Sequence, residues 1–241
     1  MSREIIGFWG YPNPQVIEET KLEYPNAEWI DLDIDFNYPD YKILPESYCK
    51  IIKNVINNSI ELKPVKIVAP IGKDKCDSGW FAAQVLKDKG FNVVETIYEQ
   101  TTKKNDIVIS TSNLQLFKKV DTIMGNIITP KHYNLPQTKA EFGFWGVPPN
   151  DMEILNLFPN TTHVYGWIRC VEAGTPADIE LEMHVDEDVP TVFYAQAFCA
   201  KAQLAKYLAD KYNGLYVDID DFANNSIKAK IEAFLRLRWF I

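Results

Sequence analysis

The tetrapeptide Gly-Phe-Trp-Gly is written twice in this chain, at residues 7–10 and 143–146, each time between an apolar stretch and a proline-bearing turn. Downstream, Tyr24-Pro25-Asn26 is answered by Phe158-Pro159-Asn160, and the spacing from the tetrapeptide is kept within two residues. Extended runs follow in both copies, "AEWIDLDID" and "TTHVYGWIRC". Then come "VKIVAPIGKDKCDSGWFAAQVLKDKG" and "VPTVFYAQAFCAKAQLAKYLADKYNG", each an apolar strand, a short polar turn and a helix ending near Gly. Matched elements in one order are the mark of an internal repeat. Such a chain is constrained to two halves of like topology.

Local chemistry gives the type of unit. Ile5, Ile6 and Phe8 make a short apolar strand; Asn13 suits a helix cap, Pro14 the first helical turn, and Pro25 an end. In the second copy Asn150 or Asp151 can cap, with Ile154, Leu155 and Phe158 at helical spacing. The continuous apolar runs "KIVAP" and "TVFYA" suit strands covered on both faces. We read "IVIS" and "DTIMGNII" as further strands, and "GLYVDID" as a strand feeding a last helix with Ile227, Ile231 and Phe234 on one face. The expectation is an α/β fold of two pseudo-repeated Rossmann-like halves with mainly parallel sheet. The polar, proline-bearing stretch at 129–141 is the expected boundary, giving halves 1–136 and 137–241.

A chain of 241 residues with 46% hydrophobic content supports a sizeable core, while a formal charge of -8 argues against a phosphate-binding surface for nucleic acid. The start has no apolar signal core, and no run approaches the ~20 apolar residues of a membrane span, so a soluble, cytoplasmic protein without membrane partners is expected. Cys49, Cys76, Cys170 and Cys199 are scattered without a C-x-x-C pair, and the three histidines lack helical ligand spacing. Reduced thiols and no His-based metal centre follow.

Post-strand loops carry the candidate chemistry. The two Gly-Phe-Trp-Gly turns, through Gly10, Asn13, Gly146 and Asn150, present backbone N–H groups beside a helix start, as an anion site requires, although no G-x-G-x-x-G or G-K-[ST] is present. Trp9 and Trp145 suit core filling. Asp31, Asp33 and Asp35 alternate in an extended run and so share a side, where an oxygen-only Mg or Mn site would form. On the same reading Tyr165 and Trp167 occupy the matched places of Asp31 and Asp33. Arg169 is the best candidate for a bidentate carboxylate or phosphate contact, with Trp167 beside it for stacking. Near the C-terminus, Asp218, Asp220 and Asp221 stand at a strand-to-helix junction, where Asp221 or Asn224 suits capping.

The expected function is a small-molecule-binding enzyme, a transferase acting on a nucleotide, nucleotide-sugar or other phosphorylated metabolite at the junction of the halves. Asp31 and Asp33 serve as base or metal ligands and Arg169 neutralises developing charge. Two alternatives stand beside it. Cys76 and Cys199 each lie near the start of a helix after a matched strand, where a thiol is activated. In size, duplication and one thiol per half, the layout resembles the aspartate/glutamate racemase superfamily, which implies cofactor-independent proton exchange by two cysteines. Here the chain reads Cys76-Asp77-Ser78 and Cys199-Ala200-Lys201, without the Thr or Asn-Thr that usually follows in that family. The other alternative is a noncatalytic duplicated binding or assembly module, with aromatic anchors among six Trp and twelve Tyr for a protein partner or homo-oligomer.

Overall fold

A computed structural model describes residues 4–73, 75–98, 104–219 and 221–239. The chain forms two compact units, Met1–Gln100 and Thr101–Ile241. In the first, β1 (Ile5–Phe8), α1 (Pro14–Glu23), β2 (Glu28–Asp31), α2 (Lys50–Leu62), β3 (Lys66–Ile71), α3 (Asp77–Asp88) and β4 (Val93–Ile97) follow in order. The strands form a four-stranded, wholly parallel sheet in the order β2-β1-β3-β4.

The second unit opens with α4 (Leu116–Gly125) and then repeats the plan. It has β5 (Phe142–Trp145), a 3-10 turn η1 (Met152–Leu157), β6 (Thr162–Tyr165), α5 (Trp167–Glu172), α6 (Ile179–Met183), β7 (Thr191–Gln196), α7 (Lys201–Lys211), β8 (Leu215–Ile219) and α8 (Asn225–Trp239). Its sheet is also four-stranded and parallel, in the order β6-β5-β7-β8. The two units are therefore Rossmann-like halves of the same strand order, and Phe8 and Phe144 hold the same place in it. Phe8 pairs with Asp31 and Val68, Phe144 with Val164 and Val192.

Strand alternation builds the cores. In the first unit Trp9, Leu32, Ile67 and Ala69 meet Ile52, Val55 and Ile56 of α2 and Ala82, Ala83 and Leu86 of α3. In the second, Trp145, Tyr165, Phe193 and Ala195 meet Ala205, Leu208 and Ala209 of α7. Both repeat tryptophans are buried, as expected. Beneath them Gly7 and Gly143 admit the bulk of the next strand. A Cβ on Gly7 would stand 2.6 Å from Leu32 Cδ1, and one on Gly143 would stand 2.3 Å from Thr191 Oγ1 and 2.6 Å from Tyr165 Cε2.

Gly143→Ala therefore forces two buried side chains off their rotamers, and a loss of about 1–3 kcal/mol is expected. Gly125→Ala is the contrast, because nothing lies within 4 Å of a Cβ at that helical position. It should be neutral or stabilise by a few tenths to about 1 kcal/mol. Urea unfolding of both variants checks the pair; equal effects would mean the close approach at Gly143 is absent in solution.

Several elements differ from the sequence reading. Ile107–Ser110 forms no strand, and "DTIMGNII" lies largely within α4, whose Leu116, Lys119, Val120 and Ile123 are buried at helical spacing. The compact division comes ahead of the expected 129–141 boundary, so residues 104–136 pack with the second unit even though the repeated strand begins only at Phe142. Physical ties explain the placement. Glu172 accepts from the backbone N–H groups of Val108 and Ser110, at 2.8 and 2.9 Å, and Lys119 donates to the carbonyls of Asn160 and Thr162. None of the four cysteines is joined in a disulfide among the described residues. Among the described residues no helix is long and apolar enough to cross a membrane.

Candidate functional site

In a parallel sheet, ligands meet the loops beyond the carboxyl ends of the strands, at the point where successive connections leave in opposite directions. In the first unit that point lies between β1 and β3. The loop after β1 turns at Gly10 (φ 55), and the loop after β3 brings Lys75 to it, its Nζ 3.0 Å from where a Cβ on Gly10 would stand. Beside them β2 ends at Asp31 and the chain turns. The Gly10 N–H donates to Asp33 Oδ2 at 3.1 Å and the Asp33 N–H donates to Asp31 Oδ1 at 3.2 Å, while Leu32 between them is fully buried.

Crowding two carboxyls here has an electrostatic consequence. Burial, then the neighbouring Asp33 charge, drives the Asp31 carboxyl well above its ordinary range. Burial also raises Asp33, opposed by the Gly10 N–H, a hydrogen bond from Asp31 and the Lys75 charge. The two titrate as a pair, the proton being held more tightly at Asp31 than at Asp33. Such a pair suits general acid–base work.

Asp35 does not join them. Its Oδ1 accepts from the Asn37 N–H at 2.8 Å and its Oδ2 pairs with Lys50 Nζ at 3.3 Å, because the chain has left the extended conformation after Asp31. Among the described residues, no group of three or more His, Cys, Asp or Glu is arranged to hold a metal ion. Asn13 caps α1 as read, accepting from the Gln15 N–H at 2.9 Å, and its amide also donates to the Ile97 carbonyl at 3.1 Å. Its own N–H donates to Thr96 Oγ1 at 3.3 Å, so Asn13 ties the post-β1 turn to β4.

Aromatic groups surround this edge. Tyr11 meets Tyr98 edge to face at 5.5 Å, and burial, followed by Tyr98, pushes its hydroxyl up to about 12. Trp80 and Phe81, in the first turns of α3, are 46% and 51% exposed with ring centroids 5.3 Å apart. Trp9 Nε1 is buried without a hydrogen-bond partner among the described residues, 3.7 Å from where a Cβ on Gly79 of α3 would stand. Its repeat counterpart Trp145 donates to the Glu182 carbonyl at 2.6 Å.

At the matching positions the second unit has no such acid pair. By strand register Asp31 corresponds to Val164 and Asp33 to Gly166, not to Tyr165 and Trp167 as the sequence alignment has it. Gly166 has φ 75, and a Cβ there would come within 2.8 Å of the Gly146 nitrogen, the place where Asp33 reaches Gly10 in the first unit. Gly146 is closed in as well: a Cβ would stand 2.6 Å from the Tyr194 carbonyl oxygen, and its own carbonyl accepts from the Ile168 N–H. Asp151, not Asn150, caps η1, and it also accepts from the Ala223 N–H at 3.1 Å. At the start of α8 the cap is Asn224, donated to by the Ile227 N–H at 2.9 Å, while Asp220 lies outside the described residues.

Trp167 is buried, and Arg169 is buried beside it. Arg169 Nε donates to the Val164 carbonyl at 2.9 Å, and the guanidinium lies 4.0 Å from the Tyr165 ring centre. Cys76 is the exposed N-cap of α3, whereas Cys199 stands one residue ahead of the α7 N-cap, Ala200. Counted from the helix starts, Cys199 matches Lys75, so the two thiols are not equivalent positions of the repeat. Lys75 itself drew no notice in the sequence, being one lysine of "GKDKCDS"; only the turn at Gly10 brings it to the acid pair. No protein-family model matches this sequence, nor does any curated protein.

Proposed function

We propose that the chain is a small-molecule enzyme of group-transfer type that binds a phosphorylated metabolite, such as a nucleotide or nucleotide-sugar, at the carboxyl edge of its first sheet. The half-buried Asp31–Asp33 pair at the switch point carries this reading. Asp33 takes a proton from the attacking hydroxyl, Asp31 returns one to the leaving oxygen, and the Lys75 ammonium offsets negative charge that develops between them. The exposed rings of Trp80 and Phe81 on the same edge suit the face of a base or sugar.

Asp31→Asn tests the assignment because fold and function predict opposite signs. A carboxyl whose folded pKa is raised gives its full stability below the unfolded value and loses it as pH climbs toward the folded value, so at pH 7 the pair strains the fold. Asn keeps the acceptor for the Asp33 N–H and fixes the uncharged state. A gain of about 1 kcal/mol, or roughly 2–4 °C in melting temperature, is expected at pH 7 and should fade near pH 4. A ligand present at 100 Kd adds about 2.7 kcal/mol to wild type. Melting curves with nucleotides, nucleotide-sugars and sugar phosphates, with and without Mg or Mn, should show that response in wild type and not in Asp31→Asn. A variant that melts lower yet keeps the response would reduce the pair to a structural feature.

A further inference from the structure

Arg169 is only 6% exposed, yet among the described residues no carboxylate forms an ion pair with it. Glu172, one turn along α5, is already spent on Val108, Ile109 and Ser110. The other groups around it give no counter-charge. His163 has its Nε2 against the Thr138 carbonyl at 2.9 Å and is kept neutral mainly by burial, and Tyr165 is a phenol kept protonated, again chiefly by burial. Asp186, whose charge reaches His163 and Tyr165, makes no ion pair with the guanidinium. Burial brings Arg169 down to about 10, which still leaves it charged at neutral pH.

A buried cation without an anion costs a fold several kcal/mol, and an apolar side chain of similar volume would fill the space without that penalty. The guanidinium is also held in one orientation. Val164 uses its N–H on the Ser110 carbonyl and its own carbonyl on Arg169 Nε, which fixes one edge of the fork, while Tyr165 supports one face. The two terminal amino groups make no hydrogen bond to the described residues, and neither is wholly sealed from solvent. Paired parallel N–H groups of this kind match the two oxygens of a carboxylate or phosphate.

We propose that Arg169, stacked on Tyr165, is the receptor for an oxoanion in the second unit, a phosphate or carboxylate group carried by a small ligand. This site is separate from the Asp31–Asp33 pair, and either can fail without the other.

Nitrogen-15 labelling of arginine in the intact chain gives a direct test, since the sequence contains only Arg3, Arg169, Arg236 and Arg238. The Arg169 signals are assigned by their loss in Arg169→Lys. Inorganic phosphate and acetate are titrated separately at constant ionic strength, with chloride as the control. Saturable movement of the Arg169 side-chain resonances, absent from Arg236 and absent with chloride, is expected. Saturation with phosphate assigns a phosphate ester, saturation with acetate a carboxylate. Arg169→Lys should weaken the accompanying thermal shift at least tenfold in midpoint concentration, because a point charge cannot replace the fork. If Arg169→Lys fails to fold, the wild-type titration alone decides. Movement that is linear, or equal for chloride, overturns the proposal.

Discussion

Replacing Glu172 by Ala is expected to cost the second unit about 4 kcal/mol, near the top of the range for single substitutions. One carboxylate there accepts from three successive backbone N–H groups, Val108, Ile109 and Ser110, and from the Ser110 hydroxyl. Ile109 and Ser110 are 3% and 0% exposed, so water cannot take the place of the lost acceptor without opening the segment. Charge-assisted bonds contribute about 1.5–3 kcal/mol each, though a cluster sharing one carboxylate is worth less than their sum. Glu172→Gln keeps the shape but turns an NH2 group toward donors, and should cost about half as much. Urea unfolding followed by circular dichroism measures both. A loss below about 1 kcal/mol for Ala would mean that residues 108–110 are hydrated in solution.

The same segment shows where the sequence misleads. "IVIS" has the apolar, β-branched look of a strand, but its backbone donors go to a side chain on α5 rather than to a neighbouring strand. No local pattern announces a partner more than sixty residues away. In "DTIMGNII" the apolar run hid a helical period, because Leu116, Val120 and Ile123 are buried together with the charged Lys119. The helix starts at Leu116, ahead of that run, so a reading that begins at Asp121 cuts its apolar face in two.

The repeat was legible because Gly-Phe-Trp-Gly records a steric demand, a small residue under a large neighbour followed by a buried ring. What the letters do not record is pairing register. The letters of the extended runs set Asp31 against Tyr165, whereas Leu32 and Tyr165 fill the same position over Gly7 and Gly143. That shift changes the chemistry inferred. The acid pair has no counterpart at the matching positions of the second unit, which places an arginine and a tyrosine around its corresponding strand end. Alternation points to Asp31, Asp33 and Asp35 alike, and the sequence does not separate Asp35 from the other two because the turn after Asp31 carries no Gly or Pro.

Lys119 supplies the second large effect, and its sign runs against the usual alkaline loss of stability. The residue is fully buried, its Nζ donates to the carbonyls of Asn160 and Thr162 at 3.0 and 2.6 Å, and burial lowers it from the ordinary 10.5 to about 8, with Glu172 as a partial offset. Between those values the unfolded chain holds a proton that the folded chain has released. Stability of the second unit therefore rises with pH across that window, by about 3 kcal/mol at 1.36 kcal/mol for each tenfold change in proton affinity. Cys170 opposes it. Its thiol is pushed from 9.0 up to about 12, mainly by burial, so the folded chain holds the proton longer and stability falls from about pH 9 upward. Wild type alone would mix the two trends, and the informative quantity is the difference from Lys119→Met. Methionine keeps a straight chain of similar bulk and has no titration; the two carbonyls lose their donor at every pH alike. Unfolding free energies measured from pH 7 to 10.5 should show wild type gaining about 3 kcal/mol on the variant. A difference that stays flat would mean Lys119 keeps its ordinary proton affinity and meets water in the folded protein.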